Sequence, residues 1–285
     1  MTQLTETPKT ERLRADGLQS DLAVVMVASA GLKEFVANTI GSVLQCGISP
    51  SDIYLFHSDD ADEEYGDIGR YIPNSQIFQI GPALIPEVTG LGGKYYKYGS
   101  QEFSRFTVAK WLAVKWLLQR DIDHVIYTDV DIAWIRSPMK YLRSVMDMYD
   151  FAIQSEALCT FPSLVCTGFM SIKNTHRTKE LIDILLERHV KAISEGSNLH
   201  DQQILNLYLS ENRHIYKDLF LLPEAQFPNG LLAGLFADAE KRDAYPASKI
   251  GPMIFHANWC KGLNSKREML IEAGLWRPGE WAVGG

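Results

Sequence analysis

Two carboxylates one residue apart are the first groups in this sequence that could do chemistry. The run HVIYTDVDIAWIRSP, His124 to Pro138, places Asp129 and Asp131 at the end of an apolar stretch. In an extended chain residues i and i+2 share a face, so both carboxylates point one way and Val130 the other. Like charges buried together are costly unless a cation joins them, and two carboxylates on one side suit a hard divalent ion. An ordinary strand end, with one Asp capping a turn and the other solvated, accounts for the same two residues.

Three further sites could serve such an ion and an anionic ligand. In FHANWCKGLNSKREML, Phe255 to Leu270, His256 ends an apolar strand and Gly262 sits in the turn after it. Ser265 and Glu268 spell a capping box, which makes Lys266 the first helical residue. A cation there opposes the helix macrodipole unless an anion sits at the site. A glycine turn, a helix N-terminus and a lysine together make a phosphate cradle; a surface lysine and a core histidine are the plainer reading. Lys110 is the second case. Stepping 100° per residue along FSRFTVAKWLAVKWLL puts it amid Phe103, Phe106, Val114 and Leu117, opposite Arg105 and Lys115. An inward lysine must either snorkel or meet an anion. In NLHDQQILNLYL, Asp201 is either a helix N-cap or, with Gln202, a group projecting into a cleft. The tyrosines at 95, 96 and 98 either stack on a sugar or cover the core.

The elements that must position these residues alternate. Strands are expected in LAVVMVASA, DIYLFH, IPNSQIFQIG, HVIYT, DFAIQS, CTGFMSIK and PMIFHANW. Helices are expected after the first strand, over 101–119, from Pro138 with Ser137 as N-cap, over 177–193, in DQQILNLYL and after Asn264. Alternating buried strands and helices imply an α/β protein, a mostly parallel sheet with helices on both faces, and ligands gather at strand C-termini in such folds. Residues 1–20 read as a loosely held lead-in and 21–285 as one domain. The glycine-rich PEVTGLGGKYYKYGSQ reads as a surface loop, and the acidic Ser58–Asp67 loop lacks the glycine and terminal glutamate of an EF-hand.

Bulk properties narrow the class. A net charge of −7 argues against nucleic acid as a partner. Four cysteines without a CxxC pair fit a reducing compartment. No apolar run approaches membrane-spanning length, and the N-terminal residues carry no hydrophobic signal region. A cytoplasmic protein is expected.

Taken together, the residues ask for a divalent metal bridging two carboxylates and a diphosphate, as in a nucleoside-diphosphate sugar. The ordered motifs FSRFTVAK, VIYTDVDIAWIRSP, TGFMSIK, DQQILN, FPNG and HANWxxGxxxK carry a resemblance as well. Across roughly residues 22–276 the chain resembles the nucleotide-diphospho-sugar transferases of glycosyltransferase family 77, relatives of family 8 with the GT-A fold. The resemblance implies a retaining, metal-dependent glycosyltransferase with a front-face substitution. It implies Asp129, Asp131 and His256 as ligands of Mn²⁺, with Mg²⁺ the alternative ion, and Asp129 also touching the ribose. Ala28, Ser29 and Ala30 would line the nucleotide pocket, Lys110 would reach the donor, and Gly262 and Lys266 would hold the diphosphate. Thr167 and Gly168 would border the sugar, Asp201 would bind its hydroxyls, and Gln202 would lie near the anomeric carbon. The donor would be UDP-linked and the acceptor a hydroxyl of a glycan, protein or small molecule. Cys166-Thr167 stands where relatives often carry Asn or Ser, and the His-to-Gly interval is longer than in family 8. No unassigned carboxylate stands out as a nucleophile. Two other classes compete. A haloacid-dehalogenase-like phosphatase also uses D-x-D but expects Thr or Val where Ala133 stands. A non-catalytic nucleotide-sugar sensor would keep the same metal site.

Overall fold

The apolar runs build one seven-stranded sheet. A computed structural model describes residues 21–58, 65–80, 96–120, 122–156, 164–233 and 251–278. In chain order the main elements are β1 (Leu22–Ala28), α1 (Lys33–Gln45), β2 (Ile53–Ser58), β3 (Ile77–Ile80), α2 (Gln101–Leu118), β4 (His124–Thr128) and β5 (Ile132–Trp134). There follow α3 (Met139–Met146), β6 (Phe151–Ser155), β7 (Val165–Lys173), α4 (His176–Ser194), α5 (Asp201–Glu211), β8 (Leu219–Leu222), β9 (Ile254–His256) and α6 (Leu263–Glu272). The strand order is β3-β2-β1-β4-β7-β6-β8, and β5 pairs with β9 in a separate two-stranded sheet. The first four strands of that order run parallel, β7 is antiparallel to both neighbours, and β8 runs parallel to β6.

Both faces of the sheet are covered, which is why its strands read as continuous apolar runs. In β1, Ala23, Val25 and Val27 face a core shared with α2, α4 and α5. The alternate residues Val24, Met26 and Ala28 face a second core with α1, α3, β5, β9 and α6. Two helix starts carry hydroxyl caps of the preferred kind: Ser100 Oγ accepts from Phe103 N–H, and Thr175 forms a reciprocal cap with Thr178.

Several local expectations change. The helix after residue 137 begins at Met139 with Pro138 at the N-cap, so Ser137 does not cap it. There is no capping box at Ser265. Helix α6 begins at Leu263, because Gly262 adopts φ +86° and turns the chain into the helix two residues early. Asp201 is not an N-cap either; His200 holds that position and Asp201 is the first helical residue. The strand expected over PMIFHANW shortens to three residues and leaves the main sheet for a pairing with β5. Strands β5 and β8 were not foreseen, being only three and four residues long. The lead-in over 1–20, residues 59–64 of the acidic loop and residues 86–95 of the glycine-rich stretch lie outside the described residues. No helix among the described residues is long and apolar enough to cross a membrane.

Candidate active site

Asp129 and Asp131 stand in a turn between β4 and β5, not along an extended strand. They share a side because the turn is braced from several directions. Asp129 N–H donates to the Gly168 carbonyl on β7 at 2.7 Å. Thr39 on α1 lies beneath, with its hydroxyl 2.7 Å from the Val130 carbonyl and 2.8 Å from that of Ile132. Ala257 N–H donates to the Asp131 carbonyl at 3.0 Å, and the β5–β9 register sets Ile132 opposite His256. The third side chain thus reaches the two carboxylates through backbone pairing. One ligand atom from each of Asp129, Asp131 and His256 lies within 4.8 Å of the others.

The imidazole is aimed by Gln154, a fully buried amide in an otherwise apolar strand. Its Nε2 donates to the carbonyls of Phe227 and Pro228, at 2.9 and 3.1 Å. Its Oε1 therefore faces His256 Nδ1 at 2.9 Å and accepts that nitrogen's proton. Nε2 is left as the lone-pair nitrogen, 3.2 Å from Asp131 Oδ1 and 4.0 Å from Asp129 Oδ2. Three lone-pair donors this close together could hold a divalent cation. Gly168 is needed beside them: a Cβ there would lie 2.2 Å from His256 Cε1 and 3.0 Å from Asp129 Oδ2.

Two lysines balance the carboxylates. Lys110, buried on α2, sits 2.7 Å from Asp201 Oδ2 and 3.3 Å from Asp129 Oδ1, and its Nζ donates to the Thr167 carbonyl at 3.0 Å. Thr167 Oγ1 donates to Asp201 Oδ2 at 2.5 Å, and Tyr127 O–H to Asp129 Oδ1 at 2.8 Å. Lys266 Nζ bonds Asp131 Oδ2. Burial opposes the charge on Lys110, but Asp129 and Asp201 outweigh it and hold the ammonium above its usual range. Burial also works to raise Asp131, yet Lys266 holds that carboxyl well below the ordinary range. Asp201 is lowered in the same way, burial being overcome by Lys110 and His200. Asp129 moves upward: burial raises it, Lys110 pulls the other way, and Asp131 adds repulsion.

Residues 87–270 match the family of nucleotide-diphospho-sugar transferases. The chain belongs to that family. Over 197 residues it is 29% identical to a UDP-D-xylose:L-fucose alpha-1,3-D-xylosyltransferase of Arabidopsis thaliana, covering 64% of this chain and 52% of the relative. It is also 29% identical over 196 residues to a UDP-galactose:fucoside alpha-3-galactosyltransferase of Dictyostelium discoideum, covering 63% of this chain and 29% of that one. The chain thus spans about half the length of the plant relatives it matches. Among solved structures, the galactosyltransferase LgtC, in complex with donor and acceptor sugar analogs, superposes with a TM-score of 0.56 at 14% identity, covering 91% of this chain and 99% of its own. Mouse xyloside xylosyltransferase 1 gives 0.51 at 15% identity, over 85% and 99%. The fold is of the GT-A type, with the D-x-D pair following a central strand of a mostly parallel sheet.

In this member of the family Lys110, Asp129, Asp131, Thr167, Gly168, Asp201, His256 and Lys266 meet in one cluster, and Gln202 joins it through its Oε1, 3.4 Å from Thr167 N. Gly262 caps α6, four residues before Lys266. Ala28, Ser29 and Ala30 are buried where β1 ends, on the strand next to β4, and Tyr65 O–H donates to the Ser29 carbonyl at 2.7 Å. Among the tyrosines, Tyr96 is buried against Phe106 and Tyr98 is exposed; Tyr95 lies outside the described residues. Sequence reasoning did not find Gln154, Tyr127, Thr39 or Glu156. A glutamine inside the apolar FAIQS strand was the available signal for the first, since buried amides need partners. A carboxylate just past that strand was the signal for Glu156.

Proposed function

We propose that this chain is a metal-dependent, retaining glycosyltransferase that moves a sugar from a UDP-linked donor to a hydroxyl of a fucose-bearing glycan or glycoside. The observation that carries the reading is the convergence of Asp129, Asp131 and His256 on one point, flanked by Lys110 and Lys266. The curated relatives are named for UDP-xylose or UDP-galactose donors, fucose or fucoside acceptors and α-linked products. Such donors carry the sugar in α linkage, so an α product means retention. The proposed unit is one GT-A domain beginning near residue 21.

In this reading Asp129, Asp131 and His256 hold Mn²⁺, which would supply Lewis-acid stabilisation of diphosphate charge. The remaining work falls to the protein. Lys266 offsets the charge that grows on the leaving diphosphate, and the start of α6 at Gly262 offers backbone N–H groups to the same oxygens. Ala28, Ser29 and Ala30 line the nucleotide pocket. Asp201 accepts hydrogen bonds from donor-sugar hydroxyls, its orientation fixed beforehand by Lys110 and Thr167. Thr167 and Gly168 border the sugar, and Gln202 lies near the anomeric carbon.

A thermal-shift panel of UDP-xylose, UDP-galactose and GDP-mannose, with Mn²⁺ or with chelator, tests the donor and the ion together. The UDP sugars should stabilise the protein only with the metal. Asp131→Asn should abolish that metal-dependent shift, and a variant that binds UDP like the parent would refute the assignment.

A further inference from the structure

Glu156 is a half-buried carboxylate that the donor chemistry leaves unused. It follows β6, and its backbone is fixed: its N–H donates to the Leu164 carbonyl at 2.9 Å, and its own carbonyl accepts from Asn229 Nδ2 at 3.1 Å. It lies two residues past Gln154, which pairs with Cys166 across β6 and β7; burial raises its carboxyl, and the Cys166 thiol and the Gln202 amide pull it the other way. Gln202 can donate in that direction because its Oε1 is turned to Thr167 N–H. Oε2 of Glu156, however, is buried and has no hydrogen-bond partner among the described residues. A buried carboxylate oxygen left unpaired is expensive, so a donor arriving with a ligand is the natural partner.

Tyr98 stands at the start of α5, the helix that carries Gln202, through its contact with the N-cap residue His200. Its ring is 63% exposed although it is held in place. The hydroxyl lies 3.1 Å from His200 Nε2, and the ring packs 5.2 Å from His200 and 5.3 Å from Phe103. His200 Nδ1 is in turn 3.5 Å from Asp201 Oδ1, which ties this aromatic face to the donor-side cluster. Burial, then Glu156 and Asp201, raise the phenol above its usual pKa. An exposed aromatic face fixed at its polar end suits the apolar face of a sugar ring.

We propose that Tyr98 and Glu156 form the acceptor subsite, the ring carrying the C–H face of a neutral sugar and Oε2 accepting from one of its hydroxyls. A neutral sugar fits better than an anionic one, because Glu156 repels negative charge and Lys110 is committed to Asp129 and Asp201. The inference deepens the transferase reading and rests on it.

The test is binding of methyl α-L-fucopyranoside and methyl β-D-galactopyranoside to the full chain loaded with UDP and Mn²⁺, followed by saturation-transfer NMR. UDP affinity is measured separately by calorimetry. At least one glycoside should bind the parent. Tyr98→Ala and Glu156→Gln should each weaken it about tenfold, Tyr98→Phe should stay within about threefold because the ring remains, and UDP affinity should not change. Glycoside binding that survives both substitutions, or a loss of UDP affinity in parallel, overturns the subsite. So does a UDP-loaded parent that binds neither glycoside, which leaves the donor reading standing. A parent that fails to bind UDP refutes the donor reading and this subsite with it.

Discussion

Each carboxylate of the Asp129–Val130–Asp131 turn meets its own lysine, but the two lysines are held in opposite ways. Lys110 comes from the middle of α2 with its side chain 7% exposed, between two carboxylates, a carbonyl and a hydroxyl, and 4.6 Å from the Tyr127 ring centre. Lys266 comes from the first turns of α6, beside the small β5–β9 sheet, and its side chain keeps 22% of its exposure. The inner lysine is desolvated on every side, so its charge must be balanced for the chain to fold. The outer lysine is wetter and nearer the edge, where a charge costs less to keep and can answer a ligand. One cation builds the site; the other stands where a ligand can meet it.

That contrast can be broken by substitution. Lys110→Met leaves Asp201 and Asp129 without their cation, and should destabilise the protein by about 3–5 kcal/mol in denaturant unfolding. A loss below about 1 kcal/mol would put Lys110 in the same class as its outer counterpart. Lys266→Ala should do the reverse, lowering turnover by about 10² while stability stays within about 1 kcal/mol. Unchanged turnover would make Lys266 a surface charge only. Gln154→Leu sharpens the outer half: without the amide to hold Nδ1, metal affinity should fall about 10–100-fold, read by Mn²⁺ titration with and without UDP.

The smallest effect is on pH, and it belongs to the main sheet and its helices. Burial, with help from Arg143 and Lys173, lowers His124 from 6.5 to about 4. Burial likewise lowers His189 to about 4. Both histidines are therefore neutral in the fold, and the unfolded chain binds protons first. Their contribution is fully present above pH 6.5 and is lost as pH falls toward 4. Between pH 7.5 and 5.5 each should cost about 1 kcal/mol of stability, and His124→Gln should remove its share of that slope.

Much of this was legible from pattern alone. Lys110 announced itself because a cation in an apolar helical arc has few ways to be satisfied, and the aspartates did so because they interrupt a strand. The mostly parallel sheet with helices on both faces followed from alternating apolar runs. What could not be read was anything decided across the sheet. Gln154 and Glu156 acquire their roles from partners on β7, β9 and α5, and no local spacing links those segments. The capping box at Ser265 failed for a different reason. Its letters are correct, but a left-handed glycine upstream had already started the helix. Asp201 could equally have been an N-cap on local chemistry, and only the arrival of Lys110 from α2 decides otherwise.

The small β5–β9 sheet works as a clasp. Because Asp131 and His256 are brought together by backbone rungs at either end of a long excursion, their spacing does not depend on what the chain does between them. Loops of that excursion that stay clear of Gln154, Gly168 and Asp201 could change while the spacing of Asp131 and His256 stays the same. A lineage built on this clasp is at liberty to remodel what it recognises without renegotiating how it reacts.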